Sequence, residues 1–480
     1  VNAKLKSLRS GIQWGSLYAG SLLVNKVLRG AVVPKLLDPS AYGLFTSINL
    51  VTRYLQFADF GAAAYCNKQL PHYYYNMPPE EASKFISRMY MLVLCSFALT
   101  TTYLAVAVFL APKWSGGSEL AVQFYTYALI LLIPITIISK LRDFALTLFI
   151  AKQDYRGSVT FQIANNYITL VFVAGGIYYW GAIGGIIGTF LGELLSFLWI
   201  VRQAELPSVS KPGRYLLADW RSIIKQFYVQ LADLALGTVD QLLILSVFNV
   251  EGLGIYALGL SFSWAIEALS EIFNTASYPK LMAVVRARPQ EAIELCHTTI
   301  LSFFLISFAA MPCALLLIDQ IVSRYFDRYL IGLNAFGIML MLGLIRGGSA
   351  LLRRAYVAFD MERSYILVSS VALITYSIMM VVGSKVRFEL FQIISAIVVI
   401  NTLLFLVSYA VLAVRLRAVS GFAKNAGLAM TAAVMLFAYS ASAVDKAGEL
   451  QMRWVVVGSM FIIPLIWSFF ARKELLRYVG

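Results

Sequence analysis

"DPSAYGLF", residues 38–45, separates one long apolar run from the next, and "NVEGLGIY", residues 249–256, does the same in the second half of the chain. Gly43 and Gly254 stand 211 positions apart. Lys68 and Lys280 close the runs that follow, 212 apart, and "AKQDYRGS" (151–158) and "VAFDMERS" (357–364) place their aspartates 206 apart. Three matches at nearly one offset predict a duplicated pair of lobes in the same orientation.

The runs between these turns have the length of membrane crossings. A helix needs roughly 20 mostly apolar residues to cross a ~30 Å hydrocarbon core. Fourteen stretches meet that template: 11–33, 40–66, 85–111, 119–143, 158–179, 183–203, 222–247, 253–278, 293–318, 329–352, 364–382, 390–414, 424–443 and 454–471. The pair at 158–203 is divided only by "YYWGAIGG", so a single re-entrant element is the alternative there. With 60% hydrophobic and 13% charged residues in 480, the composition excludes an ordinary soluble domain. The expected fold is an all-α polytopic membrane protein of about 14 transmembrane helices, with two pseudo-symmetric six-helix lobes and two C-terminal helices.

A net charge of +14 would suit nucleic-acid binding, but the positions of the cations give it another meaning. With the amino terminus inside, cytoplasmic segments hold 28 of the 39 Lys and Arg and external segments hold eight. That split follows the positive-inside rule, with both termini cytoplasmic. No nucleic-acid partner is expected. The basic start "VNAKLKSLRS" lacks a small-residue cleavage site and reads as a retained cytoplasmic end. The polar stretch "RQAELPSVSKPGRYLLADWRS", residues 202–222, predicts a linker. The expected domains are therefore 1–205 (N-lobe), 206–221 (linker), 222–416 (C-lobe) and 417–480 (terminal helix pair).

Three cations remain inside spans on this count: Lys26, Arg29 and Arg53. Charges at membrane depth are costly and mark function by default. On the first span Trp14, Tyr18, Ser21, Asn25 and Arg29 share a face, flanked by Lys26. On the second, Asn49, Arg53 and Gln56 share one, with Asp59 at its edge. Snorkelling is the alternative for Arg29, about a turn from the outer boundary. Arg53, near mid-span, favours a cavity or a buried ion pair.

The second lobe is acidic. Gln226, Gln230, Asp233, Gly237, Asp240 and Gln241 form one stripe, and Trp264, Glu267, Glu271, Asn274 and Tyr278 form another. Asp233, Glu267, Asp240 and Glu271 are expected to titrate or bind a coupling cation; ion pairs with the first lobe's cations are the structural alternative. Glu193 stands beside a small-residue ladder of Gly184, Gly188 and Gly192, which predicts close helix packing. It suits either an interhelical hydrogen bond or a functional role.

No cofactor or metal is expected. Cys66, Cys95, Cys296 and Cys313 lie far apart without a CxxC pair, and His297 has no matching ligand spacing. "GAIGGIIG" lacks the strand–turn–helix setting of a nucleotide loop, and no P-loop occurs.

The stretch "LLDPSAYGLFTSINLVTRYLQFADFGAAAYCNKQLPHYY", residues 36–74, resembles the bacterial polysaccharide-export and O-antigen flippases of the multidrug/oligosaccharidyl-lipid/polysaccharide exporter superfamily. The features that carry this are the Pro39–Tyr42–Gly43 turn and "DFG", Asp59 to Gly61. The resemblance implies no enzyme, but a flippase moving a polyprenyl-pyrophosphate-linked oligosaccharide across the bacterial inner membrane. Membrane lipids, and polysaccharide polymerase or export proteins, would be its partners. Lys26, Arg29 and Arg53 would then hold the pyrophosphate, aromatics such as Trp14, Tyr18 and Trp264 would stack on sugar faces, and Asn25 and Gln56 would belong to the same substrate-binding set. A multidrug exporter of the same superfamily would favour an acidic cavity, which the basic first lobe opposes. A membrane-embedded polymerase or ligase would need larger external loops than this chain has.

Overall fold

The computed structural model describes residues 2–55, 61–62, 65–66, 69–70, 77–114, 119–152, 154–203, 220–285, 288–383, 385–386 and 388–416. The expected terminal pair at 424–443 and 454–471, the linker at 206–219, Gln56 and Asp59 lie outside the described residues. All regular structure among the described residues is helical: α1 (Asn2–Leu36), α2 (Pro39–Leu55), α3 (Pro79–Trp114), α4 (Glu119–Ala151), α5 (Tyr155–Gln203), α6 (Trp220–Val284), α7 (Pro289–Tyr325), α8 (Leu333–Ala358), α9 (Glu362–Gly383) and α10 (Leu390–Arg415), with a 3₁₀ turn at Asp327–Gly332.

Eight of these, α3 to α10, are long and apolar enough to cross a membrane. The chain is a multi-pass membrane protein. Helix α1 falls short because Asn25, Lys26 and Arg29 lower its hydropathy, and α2 is described over only 17 residues. Two of the eight are double. Straight helices of 49 and 65 residues, like α5 and α6, would run far beyond a ~30 Å core at 1.5 Å per residue.

Helix α5 breaks at Trp180 (φ −133°) and Gly181 (φ 59°), a left-handed turn that suits glycine. Its arms then run back along each other. A Cβ on Gly176 would lie 2.0 Å from the Gly184 carbonyl oxygen, one on Gly188 2.1 Å from that of Phe172, and one on Gly192 2.7 Å from the Thr169 Cα. The partners step in opposite directions along the chain, which defines an antiparallel hairpin sealed by the expected ladder. Each arm exceeds the roughly 20 residues that a crossing needs. Tyr178, Tyr179 and Trp180 stand exposed at its tip, as aromatic side chains do at a membrane–water interface.

Helix α6 turns at Asn249, whose φ of 65° an asparagine tolerates better than most residues. The Asn249 side-chain oxygen accepts from the Glu251 amide at 2.9 Å and caps the second arm. The other repeated motifs also fall at junctions: Pro39 begins α2, Asp154 precedes α5, and Asp360 (φ 55°) precedes α9. The Asp154 carboxylate accepts from the Gly157 amide at 2.9 Å.

Packing divides the chain into two compact units. Among the described residues, the first comprises those within 1–21 and 40–238, and the second those within 22–39 and 239–416. Within the first, α4 packs along α3 and α5, and Tyr65, Cys66, Phe85, Met89 and Phe144 form an apolar cluster. Within the second, α8 is the innermost helix, packed on α7 and α10.

Candidate functional site

The division assigns the expected site residues unequally. Trp14, Tyr18, Arg53 and Asp233 belong to the first unit, all half-buried. Asn25, Lys26, Arg29, Asp240, Glu267 and Glu271 belong to the second. The part of α1 from Leu22 onward thus brings Lys26 and Arg29 into the compact unit that holds Glu267 and Glu271. A Cβ on Gly30 would lie 2.6 Å from the Ser261 Cβ, so glycine lets α1 approach the second arm of α6 closely. Asn25 is buried there, while Lys26 and Arg29 are half-buried. Arg29, Arg53 and Asp233 are each engaged in polar or electrostatic contacts.

The count of three cations inside spans leaves out Lys140, Arg142 and Arg346, although the expected spans 119–143 and 329–352 contain them. The structure corrects this: all three lie within helices and face protein. Lys140, buried on α4, donates to the Ser96 hydroxyl at 3.3 Å. The two arginines are centres of buried networks that periodicity alone does not reveal.

In the first unit Arg142 bridges α4 and α5. Its Nη1 pairs with Glu193 Oε2 and donates to Asn165 Oδ1 at 3.4 Å. Its Nε and Nη2 both donate to Asp143 Oδ1, at 3.0 and 2.7 Å. Ser139 adds a donor to Glu193 at 3.3 Å. Glu193 is therefore neither free nor satisfied by a simple hydrogen bond; it is one half of an ion pair. An arginine fork suits this job because its five N–H groups can serve several acceptors at once.

In the second unit Arg346 on α8 reaches Asp240 on α6, Nη2 to Oδ2 at 2.9 Å. Asp240 is completely buried and also accepts from the Tyr256 hydroxyl on the returning arm. Glu267 and Tyr376 lie within electrostatic range of Arg346, and Tyr376 accepts from Asn401 on α10. Three polar atoms at the centre are buried without a hydrogen-bond partner: Asp240 Oδ1, and Arg346 Nε and Nη2. The ion pair is close but poorly aligned. Of the four expected coupling carboxylates, the structure ties Asp240 to an arginine of its own unit rather than to a first-lobe cation. The signal for Arg346 was present in "MLGLIRGGSALL", residues 341–352, a lone cation in an apolar run.

Comparison with known proteins adds the fold. No protein-family model matches the chain, and no curated protein sequence matches it. Solved structures do. The lipid II flippase MurJ, in an inward closed conformation, is 13% identical with a TM-score of 0.64, over 95% of this chain and 99% of that one. A Vibrio cholerae MATE transporter, VcmN in mutant form, is 13% identical with a TM-score of 0.61, over 87% and 98%. A MOP superfamily transporter from Pyrococcus furiosus, described as having a binding pocket of reversed polarity, is 14% identical with a TM-score of 0.58, over 86% and 96%. The chain thus has the fold shared by MurJ and MATE transporters, and these neighbours are transporters or flippases rather than enzymes.

Proposed function

We propose that this protein is a flippase that moves a polyprenyl-pyrophosphate-linked oligosaccharide, an O-antigen or other polysaccharide repeat unit, across the bacterial inner membrane. The observation that carries this reading is the extent of the likeness. The flippase structure matches 95% of this chain, whereas the MATE transporter matches 87%. The cations of α1 support it: Lys26 and Arg29 follow Asn25 in a helix otherwise rich in apolar residues, where an anionic head group would need them. Arg53, Gln56, Trp14 and Tyr18 complete the proposed substrate set. The fourteen-span count, both termini on the cytoplasmic side, and polymerase or export partners belong to the same proposal.

Coupling is assigned to Asp233, Glu267 and Glu271, with Asp240 in a different role from theirs. Arg346 sits against the sealed Asp240 carboxylate, so a coupling cation could reach Asp240 only if Arg346 moved away. Asp233→Asn and Glu267→Gln should slow transport and flatten its response to an imposed ion gradient.

A cation–drug antiporter is the second reading, favoured by the three carboxylates Asp240, Glu267 and Glu271 within one unit. Reconstituted vesicles separate the two. A lipid-linked saccharide should become accessible to an external glycosidase, with loss of that signal in Arg29→Ala and Arg53→Ala. Uptake of a cationic dye without any flipping of the saccharide would overturn the proposal.

A further inference from the structure

A cleft of about 280 Å³, counting its open mouth, lies in the second unit where the end of α6, the start of α7 and the end of α8 meet. Asn274, Tyr278, Cys296, Thr299 and Arg354 line it. The space a small group can occupy within it is only about 20 Å³, so it suits a single chemical group rather than a saccharide.

The walls specify which group. Two donors here are buried without an acceptor: Asn274 Nδ2 and Arg354 Nε. Asn274 is only 5% exposed. The hydroxyls of Ser277 and Thr299 already donate to the Phe273 and Leu295 carbonyls of their own helices, both at 2.7 Å. The Arg354 guanidinium lies over the Tyr278 ring, 5.2 Å from its centroid, which restricts its position. Glu362 is buried nearby and influences Tyr278, but it does not line the cleft and is engaged in contacts of its own. Buried polar atoms in native proteins are rarely left unpaired, and those that are call for a missing partner. Here both orphans are donors and one belongs to a fixed positive charge.

We infer that this cleft binds a phosphate group, with Arg354 and Asn274 as its donors. A lipid head group and free inorganic phosphate share that chemistry. The inference does not depend on the transported substrate, since the cleft contains none of the residues assigned to it.

The test uses the full chain in a neutral detergent, with short-chain phosphatidate, phosphatidylcholine of equal chain length, and inorganic phosphate as probes. Phosphatidate should raise the melting temperature. Losing a charge-assisted hydrogen bond should weaken its binding about tenfold or more in Arg354→Gln, with partial recovery in Arg354→Lys. Asn274→Ala should weaken it several-fold while folding normally, because the lost amide donor has no partner in the protein. Binding of phosphatidate alone identifies a lipid source, and equal binding of inorganic phosphate identifies a free one; either supports the site. Phosphatidylcholine binding as tightly as phosphatidate, no binding by any probe, or unchanged affinity in Asn274→Ala would overturn it.

Discussion

The two buried arginine–carboxylate pairs differ in how completely they are satisfied. Arg142 in the first unit has acceptors for Nε, Nη1 and Nη2, and its Asp143 partner is half open, with 47% of its side chain exposed. Arg346 in the second unit meets one oxygen of a fully sealed Asp240 through a poorly aligned Nη2, and its Nε has no hydrogen-bond partner. A connected network holds two helices in one arrangement. A sealed and half-satisfied pair is costly, and a second arrangement that pairs its atoms better would compete with it. The first pair therefore reads as a brace and the second as the point from which a conformational change could start.

The hairpins that present the pairs differ in the same way. The arms of α5, which carry Asn165 and Glu193, meet through glycine backbone and have almost no room to slide. The arms of α6 are joined at Asp240 and Tyr256 by a side-chain hydrogen bond, which can exchange partners.

The comparison breaks most readily at Arg346. Arg346→Ala leaves the sealed Asp240 without its cation and with only the Tyr256 hydroxyl as donor, so it should destabilise the protein by about 3–5 kcal/mol, read as a large fall in melting temperature. Replacing Arg346 and Asp240 together with leucine should recover most of that loss. If the single variant melts like wild type, the pair is not sealed as described. Arg142→Ala should cost less, about 2 kcal/mol, because Glu193 keeps Ser139 and Asp143 keeps access to water. A loss equal to that of Arg346→Ala would erase the distinction between brace and strained pair.

Smaller changes sharpen it. Tyr256→Phe removes the hydroxyl that Asp240 accepts from and should cost about 1.5 kcal/mol in thermal unfolding. Asn249→Gly keeps the positive φ available and loses only the cap on the second arm, so its effect should be about 0.5 kcal/mol. Asn249→Ala should exceed it, because alanine resists that backbone conformation.

Several features were legible in the chain because they depend on local order. Apolar runs of crossing length, the Pro39 and Asn249 junctions, and the glycines at 184, 188 and 192 are patterns within a few turns of helix. The polar stripe through Asp240 was legible for the same reason, since 100° per residue fixes which side chains share a face. Its partner was not. Arg346 comes from another helix, and Glu193 meets Arg142 51 residues away. Whether two such groups touch depends on the rotation and axial offset of packed helices. Those are set by the fit of apolar side chains along the whole contact rather than by any spacing near the charge.

By itself, the sequence determined that this is a helical, multi-pass membrane protein, with cations on its first two helices and carboxylates on α6. Hydrocarbon demands apolar surface and internally satisfied backbone, and these constraints show directly in composition and period. Only the tertiary structure decided that the part of α1 from Leu22 onward packs with the second unit, that Asp240 is held by Arg346, and that Asn274 and Arg354 share one cleft. Each of these is a meeting of side chains from separate helices, and its energy exists only once the helices have packed.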